Sequence, residues 1–108
     1  MRKLVEDMAN SIGLDRFTRQ LRAFMESRDL SNELPNVNCS TLVLCGGEDS
    51  LLPVEFSREI AKKIPRSKFV TIREAAHLLP AERPSTTAEL MEQWLTDVLP
   101  MDGEEILI

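Results

Sequence analysis

The chain has 108 residues, the length of one small domain. Hydrophobic residues make up 43% of it and charged residues 29%, a balance that is typical of a globular protein and excludes a disordered one. The net charge is −5 and there is no basic stripe, which argues against nucleic acid as a partner. No apolar run approaches the roughly 18 residues that a membrane helix needs.

The N-terminal part of the chain is predicted to be helical. Apolar residues recur at helical spacing over residues 2–12 and again over residues 14–25, with Gly13 between the two patterns. A stretch rich in Asn, Ser and Asp follows, which predicts a loop. We therefore divide the chain into a helical segment, residues 1–35, and a second part, residues 36–108.

The second part begins with a strand–helix–strand pattern. The apolar run within residues 41–45 is continuous, as in a parallel strand that is covered on both faces. Pro53 opens a helical pattern that ends at Pro65, and residues 68–72 form the second predicted strand. The predicted fold class is therefore α/β, with two parallel strands joined by a right-handed βαβ crossover.

A predicted loop, residues 73–83, precedes the last helix, which begins at Pro84 and covers the sheet with apolar residues such as Leu90. The tail, residues 101–108, is predicted to be frayed or docked through its isoleucines. Both strands of a two-stranded sheet are edges, so apolar residues such as Val70 are expected to lack a neighbouring strand on one side.

Two residues with complementary chemistry follow the two strands. Asp49 comes just after the first strand, and His77, the only histidine, comes just after the second. The carboxyl ends of parallel strands open on the same edge of a sheet, and neighbouring strands lie about 5 Å apart, so the two side chains are predicted to meet. A carboxylate that accepts the N–H of one imidazole nitrogen leaves the other nitrogen free to act as a general base.

These residues lie in two segments that resemble the α/β-hydrolase family. The segment LVLCGGEDSLLP resembles the family's acid-bearing turn, and the segment EAAHLLPAERP resembles its base-bearing loop. The matching residues are Gly46, Asp49 and Pro53 in the first segment and His77, Glu82 and Pro84 in the second. The resemblance covers roughly residues 37–98, and residues 16–30 resemble the end of the family's helical lid.

The resemblance implies a partial α/β-hydrolase core, a parallel βαβ unit plus a C-terminal helix, preceded by two helices from the lid region. Asp49 would be the acid of a catalytic triad and His77 its base, in the chain order nucleophile, acid, base that the family follows. The parent enzyme would hydrolyse an ester, an amide or a related small acyl compound. No metal and no organic cofactor is implied.

The sequence departs from the family's pattern in two places. The Gly-x-Ser-x-Gly nucleophile elbow is absent from the 108 residues. The chain alone is therefore expected to be inactive, and to be a fragment that needs an N-terminal half or that self-associates. Ala76 stands where the family usually has Gly before the histidine, and a positive φ at that position would cost roughly 1 kcal/mol.

The candidate residues also have plainer interpretations. On local sequence alone, Asp49 is a common type of turn former, and His77 could be a surface residue. Glu82 is expected to stabilise the histidine loop by accepting hydrogen bonds from its backbone N–H groups. Cys45 is expected to pack in the sheet rather than act as a nucleophile. For the whole chain, the alternative function is that of a catalytically inactive interaction or oligomerisation domain derived from a hydrolase.

The cysteines and the start of the chain bear on its location. Cys39 and Cys45 flank or belong to one short strand, which keeps them too far apart for a disulfide. One histidine and two cysteines do not give a zinc pattern. Because the first residues also lack a signal-peptide pattern, the sequence predicts a cytoplasmic protein with free thiols.

Overall fold

A computed structural model describes residues 1–100 and 102–108 of the chain. The chain forms two compact units, of which the first is Met1–Leu30. This unit consists of two helices, α1 (Arg2–Ile12) and α2 (Leu14–Glu26), which contact each other. Both helices lie where the hydrophobic periodicity predicts them.

Gly13 separates α1 from α2 and has a φ of 84°, a left-handed conformation that glycine adopts without steric strain. The predicted break between the helices is therefore confirmed. Both helices are fully described, and neither buries a residue. Their exposed apolar residues include Leu4, Met8, Phe17 and Leu21. The helical pair consequently has amphipathic faces but no core of its own.

The second unit, Ser31–Ile108, contains the predicted βαβ arrangement. Its elements are β1 (Thr41–Gly46), α3 (Val54–Lys63) and β2 (Ser67–Ile72). The strands β1 and β2 pair in parallel over their whole length, from Thr41 opposite Ser67 to Gly46 opposite Ile72. The α/β class and the parallel crossover are therefore confirmed.

A short 3₁₀ helix, Ser31–Asn36, occupies part of the predicted loop between the two units. It contacts α3 and belongs to the second unit. The boundary predicted between residues 35 and 36 falls at the end of this helix, whereas the contacts divide the chain between Leu30 and Ser31. The hexapeptide SNELPN is mostly polar and has a proline as its fifth residue, so it does not give helical periodicity and this turn could not be predicted.

The sheet of the described residues has three strands rather than the two that the sequence predicts. After α4 (Leu79–Glu82) and α5 (Pro84–Leu95), the tail forms β3 (Glu105–Leu107), which pairs in parallel with β2. The strand order is β1-β2-β3, so β2 is central rather than an edge. The expectation that Val70 lacks a neighbour was therefore wrong, and its side chain is fully buried.

Helices cover both faces of the sheet, as the continuous apolar strands predict. On one face, Phe69 of β2 and Cys45 of β1 pack with Ala61 of α3. On the other face, alternate strand residues pack with the C-terminal helices; this cluster includes Val70, Ile72, Leu79 and Leu90. The two clusters fix the carboxyl ends of β1 and β2 side by side, and the loops that carry Asp49 and His77 leave from these ends.

Ion pairs tie the tail to the rest of the second unit. The guanidinium of Arg58 donates from Nε and Nη2 to the two carboxylate oxygens of Glu105, each at 3.2 Å. The hydroxyl of Thr71 donates to the same carboxylate at 3.1 Å, and Lys68 lies 3.1 Å from Asp102. The hydrogen bond from Arg58 is the main reason that the pKa of Glu105 lies below its ordinary value of 4.5.

The lowered pKa of Glu105 predicts that the tail loosens in acid. The folded-state pKa lies below the unfolded value, so the contribution to stability is complete above pH 4.5 and is lost as pH falls through the folded-state pKa. We expect the amide of Ile106 in β3 to exchange hydrogen faster, relative to that of Val70, as pH falls from 5 toward 2. The variant Glu105→Gln should show fast exchange at Ile106 already at pH 6, and equal protection in both proteins would contradict the prediction.

Candidate active site

The side chain of Asp49 is fixed in the turn after β1 by its own neighbours. The backbone N–H groups of Leu51 and Leu52 both donate to its Oδ1, each at 2.9 Å. Such bonds are typical of aspartate in turns and explain the residue's place in this loop. Because Oδ1 is occupied, the second oxygen, Oδ2, is free to accept another donor. The side chain is only 6% exposed.

The same contacts determine the charge of Asp49. The backbone N–H of Leu52 and, next in size, the hydrogen bond from His77 hold the pKa of the Asp49 carboxyl below its ordinary value of 3.8. Burial acts in the opposite direction but is outweighed. The group is therefore a carboxylate at neutral pH and can act only as a hydrogen-bond acceptor.

His77 lies in the loop after β2, and its Nδ1 is 2.9 Å from Oδ2 of Asp49. The predicted meeting of these two side chains is thereby confirmed, while their catalytic role stays a prediction. Since a carboxylate only accepts, Nδ1 of the neutral ring carries the proton and Nε2 carries the lone pair. Within the described residues Nε2 makes no hydrogen bond, and the ring is 42% exposed. The arrangement presents a basic nitrogen to an incoming hydroxyl.

Glu82 of α4 holds the loop on both sides of His77. The backbone N–H of Ala76 donates to Oε1 of Glu82 at 3.2 Å, and the N–H of Leu78 donates to Oε2 at 3.0 Å. The predicted role of Glu82 is confirmed. Ala76 has a negative φ, since the non-glycine residues with positive φ among those described are Glu74 and Asp97. The departure from glycine at Ala76 therefore introduces no left-handed strain.

Gly46, the last residue of β1, lets the two functional loops approach each other. A Cβ at this position would lie 2.3 Å from the carbonyl oxygens of both Ala75 and Ala76. The turn after Gly46 is also bonded to the histidine loop, because the N–H of Glu48 donates to the carbonyl of Ala75 at 2.9 Å. The family motif includes Gly46, but the physical reason for a glycine there could not be predicted, because the contact is with a loop far along the chain.

The parallel sheet and the Asp49–His77 pair can now be compared with known proteins. No family model matches the sequence. Over 68% of the chain, the structure resembles that of a thermophilic esterase from Thermogutta terrifontis, with a TM-score of 0.64 and 40% identity. The chain is also 28% identical, over 88 residues, to a Pantoea ananatis protein named as the carbamate hydrolase RutD. It is 28% identical, over 76 residues, to the Bacillus subtilis hydrolase YugF. These similarities support the α/β-hydrolase family for the matched part of the chain.

The chain spans only part of the length of the proteins that it matches. It covers 32% of the length of the Pantoea relative and 26% of that of YugF. It covers 27% of the Thermogutta esterase. Most of each relative therefore has no counterpart in these 108 residues.

A cleft lies beside the turn that carries Asp49. It has a volume of about 690 Å³ and is lined by Gly47, Glu48 and Arg83 among others, but neither Asp49 nor His77 lines it.

Among the described residues, no group of histidine, cysteine and acidic side chains could hold a metal ion. No helix of the described residues is long and apolar enough to cross a membrane.

Cys45 is packed in the core cluster between the sheet and α3. Its Sγ lies 3.4 Å from the hydroxyl of Thr71, and the residue is buried. Among the described residues, no cationic group is hydrogen-bonded to the sulfur, which is the arrangement expected of a packed strand residue rather than a nucleophile. The prediction that Cys45 packs in the sheet is confirmed, and Cys39 is a free, exposed cysteine.

Substitution of Glu82 tests whether its carboxylate orders the histidine loop. In Glu82→Gln, one of the two oxygens becomes an NH₂ group, so only one of the N–H groups of Ala76 and Leu78 keeps its acceptor. We expect a loss of about 1–3 kcal/mol in the free energy of unfolding, measured by urea denaturation. The matched control is Glu89→Gln at an exposed position of α5, which should change stability by less than about 0.5 kcal/mol. Equal effects of the two substitutions would contradict the prediction.

Proposed function

We propose that this chain supplies the acid and the base of a serine-type hydrolase that acts on an ester, an amide or a related small acyl compound. Asp49 is the acid and His77 is the base. The observation that carries this proposal is the 2.9 Å contact between Nδ1 of His77 and Oδ2 of Asp49, at the carboxyl edge of a parallel sheet. The relatives, named for esterase and carbamate hydrolase activity, support the same class of bond.

The proposed chemistry uses the open nitrogen of His77. A serine hydroxyl from outside these 108 residues attacks the acyl carbonyl carbon while Nε2 of His77 takes its proton. The carboxylate of Asp49 stabilises the resulting imidazolium through Nδ1–H. Nε2 then returns the proton to the leaving group, and an acyl-enzyme remains. In the second half, Nε2 takes a proton from water as water attacks the acyl-enzyme. Nε2 then returns this proton to the serine oxygen as the acyl–oxygen bond breaks and the acid leaves.

The position of the pair agrees with this role in two respects. Asp49 is 6% exposed and ionised, which suits a group that orients and compensates the imidazole. The ring of His77 is 42% exposed, so that a nucleophile and a substrate can reach Nε2. The 108 residues contain no Gly-x-Ser-x-Gly, and the isolated chain is therefore expected to lack hydrolase activity.

The proposal is tested in a chimera in which residues 31–108 replace the matching region of the Thermogutta esterase, assayed with a chromogenic ester. We expect turnover by the chimera, a loss of at least about 10³-fold in His77→Ala, and no turnover by the isolated chain. The control Lys62→Ala, at an exposed position of α3, should retain the activity of the chimera. An unchanged rate in His77→Ala would refute the role of His77. Turnover by the isolated chain that depends on His77 would show that the chain has a nucleophile of its own.

A second candidate function is that of an inactive interaction or oligomerisation domain. The apolar residues exposed on α1 and α2 favour it, because exposed apolar faces of this kind often mark interaction surfaces. This candidate predicts an isolated chain that self-associates and a chimera that folds but does not hydrolyse esters. Light scattering on the isolated chain and the chimera assay together distinguish the two functions.

A further inference from the structure

The cleft beside the acid-bearing turn lies at the edge of the sheet where parallel sheets commonly bind ligands. Residues that follow the carboxyl ends of all three strands line it, namely Glu48 after β1, Arg73 after β2 and Ile108 after β3. Open parallel sheets bind small molecules beyond these ends. The volume of about 690 Å³ is that of a small-molecule site. The cleft is therefore a candidate binding site separate from the acid–base pair.

Two opposite charges in this cleft have no partner in the part of the chain that the structure describes. The carboxylate of Glu48 and the guanidinium of Arg73 both line the cleft and are exposed. Over residues 1–100 and 102–108, neither side chain takes part in an ion pair or a hydrogen bond, so they do not neutralise each other. A ligand that carries both charges can pair with each of them in turn.

Arg83 brings a second guanidinium to the cleft, and one hydrogen bond fixes its position. Its Nη2 donates to the carbonyl of Glu74 at 2.9 Å. The carboxylate of Glu74 lies 4.0 Å away and its side chain is 84% exposed, so it competes only weakly for the guanidinium. Since a guanidinium has five N–H donors, Arg83 retains donors for a ligand. Arg73 and Arg83 together can bind a carboxylate.

The lining of the cleft also includes apolar residues. Ile72 is buried at the end of β2, and Ile108 remains 41% exposed. A ligand with an apolar group would remove the side chain of Ile108 from water, which an inorganic ion would not do. The cleft therefore combines cationic, anionic and apolar groups, and these suit an organic ligand of mixed character.

We propose that this cleft binds a small zwitterion with an apolar side chain, of the class of the free α-amino acids. The carboxylate of the ligand accepts hydrogen bonds from Arg73 and Arg83, its ammonium donates to Glu48, and its side chain covers Ile108. A simple anion meets the negative charge of Glu48, and a simple cation meets the two guanidinium groups. The acid–base pair does not line the cleft, so the proposal is independent of the proposed function.

Titration with L-leucine tests the proposal, with the amide NMR signals of Arg73 and Thr86 as the readout. It is carried out on the 108-residue chain and on the esterase chimera, which contains the whole cleft. We expect saturable shifts with a Kd on the order of 1 mM. L-leucinamide lacks the carboxylate and N-acetyl-L-leucine lacks the ammonium. Each analogue should bind about 10-fold more weakly than leucine.

Variants assign the two ends of the ligand. Arg73→Gln should reduce the preference for leucine over leucinamide, and Glu48→Gln should reduce the preference for leucine over N-acetyl-leucine. Lys62→Gln and Glu89→Gln are the matched controls, because both residues are exposed and lie outside the cleft. Both controls should bind leucine as the natural sequence does. An unchanged amide signal of the buried Val70 verifies that each variant keeps its fold.

Other outcomes overturn the proposal. Shifts that do not saturate, or equal binding of leucine and both analogues, would show that the cleft has no zwitterion site. Tighter binding of N-acetyl-leucine would assign the cleft to simple carboxylates, and tighter binding of leucinamide would assign it to cations. Equal losses in the control variants would attribute the binding to net charge. Binding by the 108-residue chain but not by the chimera would show that the rest of an enzyme covers the cleft.

Discussion

Replacing Asp49 with asparagine in the esterase chimera is expected to lower kcat on the order of 10⁴-fold. The reason lies in the two oxygens of the carboxylate. Oδ1 accepts the backbone N–H groups of Leu51 and Leu52, and in asparagine the amide oxygen would keep this place. The NH₂ group would then face Nδ1 of His77, where Oδ2 now lies at 2.9 Å. Nδ1 would have to accept a hydrogen bond, so the proton would move to Nε2, and that nitrogen could no longer take a proton from serine.

The tautomer of His77 can be measured directly in the isolated chain, whether or not that chain is active. His77 is the only histidine, so a single set of imidazole ¹⁵N signals reports it. At a pH where the ring is neutral, we expect the proton on Nδ1 in the natural sequence and on Nε2 in Asp49→Asn. Asp97→Asn, at an exposed turn after α5, is the matched control and should leave the signals unchanged. An Nδ1–H ring in Asp49→Asn would contradict the tautomer argument, and a chimera with undiminished kcat would contradict the role of Asp49.

The parts of the structure that could be predicted from sequence depend on local signals. The continuous apolar run of β1, the prolines around α3 and the turn residues after each strand define a parallel βαβ unit. From that unit the meeting of Asp49 and His77 follows without knowledge of any long-range contact, because parallel strands open their carboxyl ends on one edge. The role of Glu82 could also be predicted, since a carboxylate placed soon after a loop commonly accepts its backbone N–H groups.

The features that were missed depend on contacts between distant segments. The strand β3 has only three residues and begins at Glu105, so its strand conformation comes from pairing with β2 and from the Arg58 ion pair rather than from a pattern of its own. The sequence therefore left the tail either frayed or docked through its isoleucines, and Ile106 packs against the core. Gly46 is a second case: its requirement for glycine arises from the carbonyl groups of Ala75 and Ala76, which belong to the loop after the next strand.

Gly46→Ala is accordingly expected to damage both stability and activity. The added Cβ would lie 2.3 Å from two carbonyl oxygens, and both belong to the backbone, which cannot rotate away as a flexible side chain can. The histidine loop must shift by about 1 Å to restore ordinary contacts, and overpacking of this kind costs about 1–3 kcal/mol. We expect Tm to fall by roughly 5–15 °C in a unit of this size. In the chimera, a displaced imidazole should lower kcat by about 10²-fold, because catalysis is sensitive to shifts of this magnitude.

The neighbouring glycine provides the control for this experiment. A Cβ on Gly47 would meet the Cγ2 of Thr71 at 3.5 Å, an ordinary contact, and Gly47 is not among the described residues with positive φ. Gly47→Ala makes the same chemical change one residue away, so it should leave Tm and kcat close to their original values. If the two substitutions had equal effects on Tm and kcat, the close contact between Gly46 and the histidine loop would not be the feature that positions Asp49 against His77. If only Gly46→Ala lost the Nδ1–H signal of His77, the close backbone contact would be established as the support of the pair.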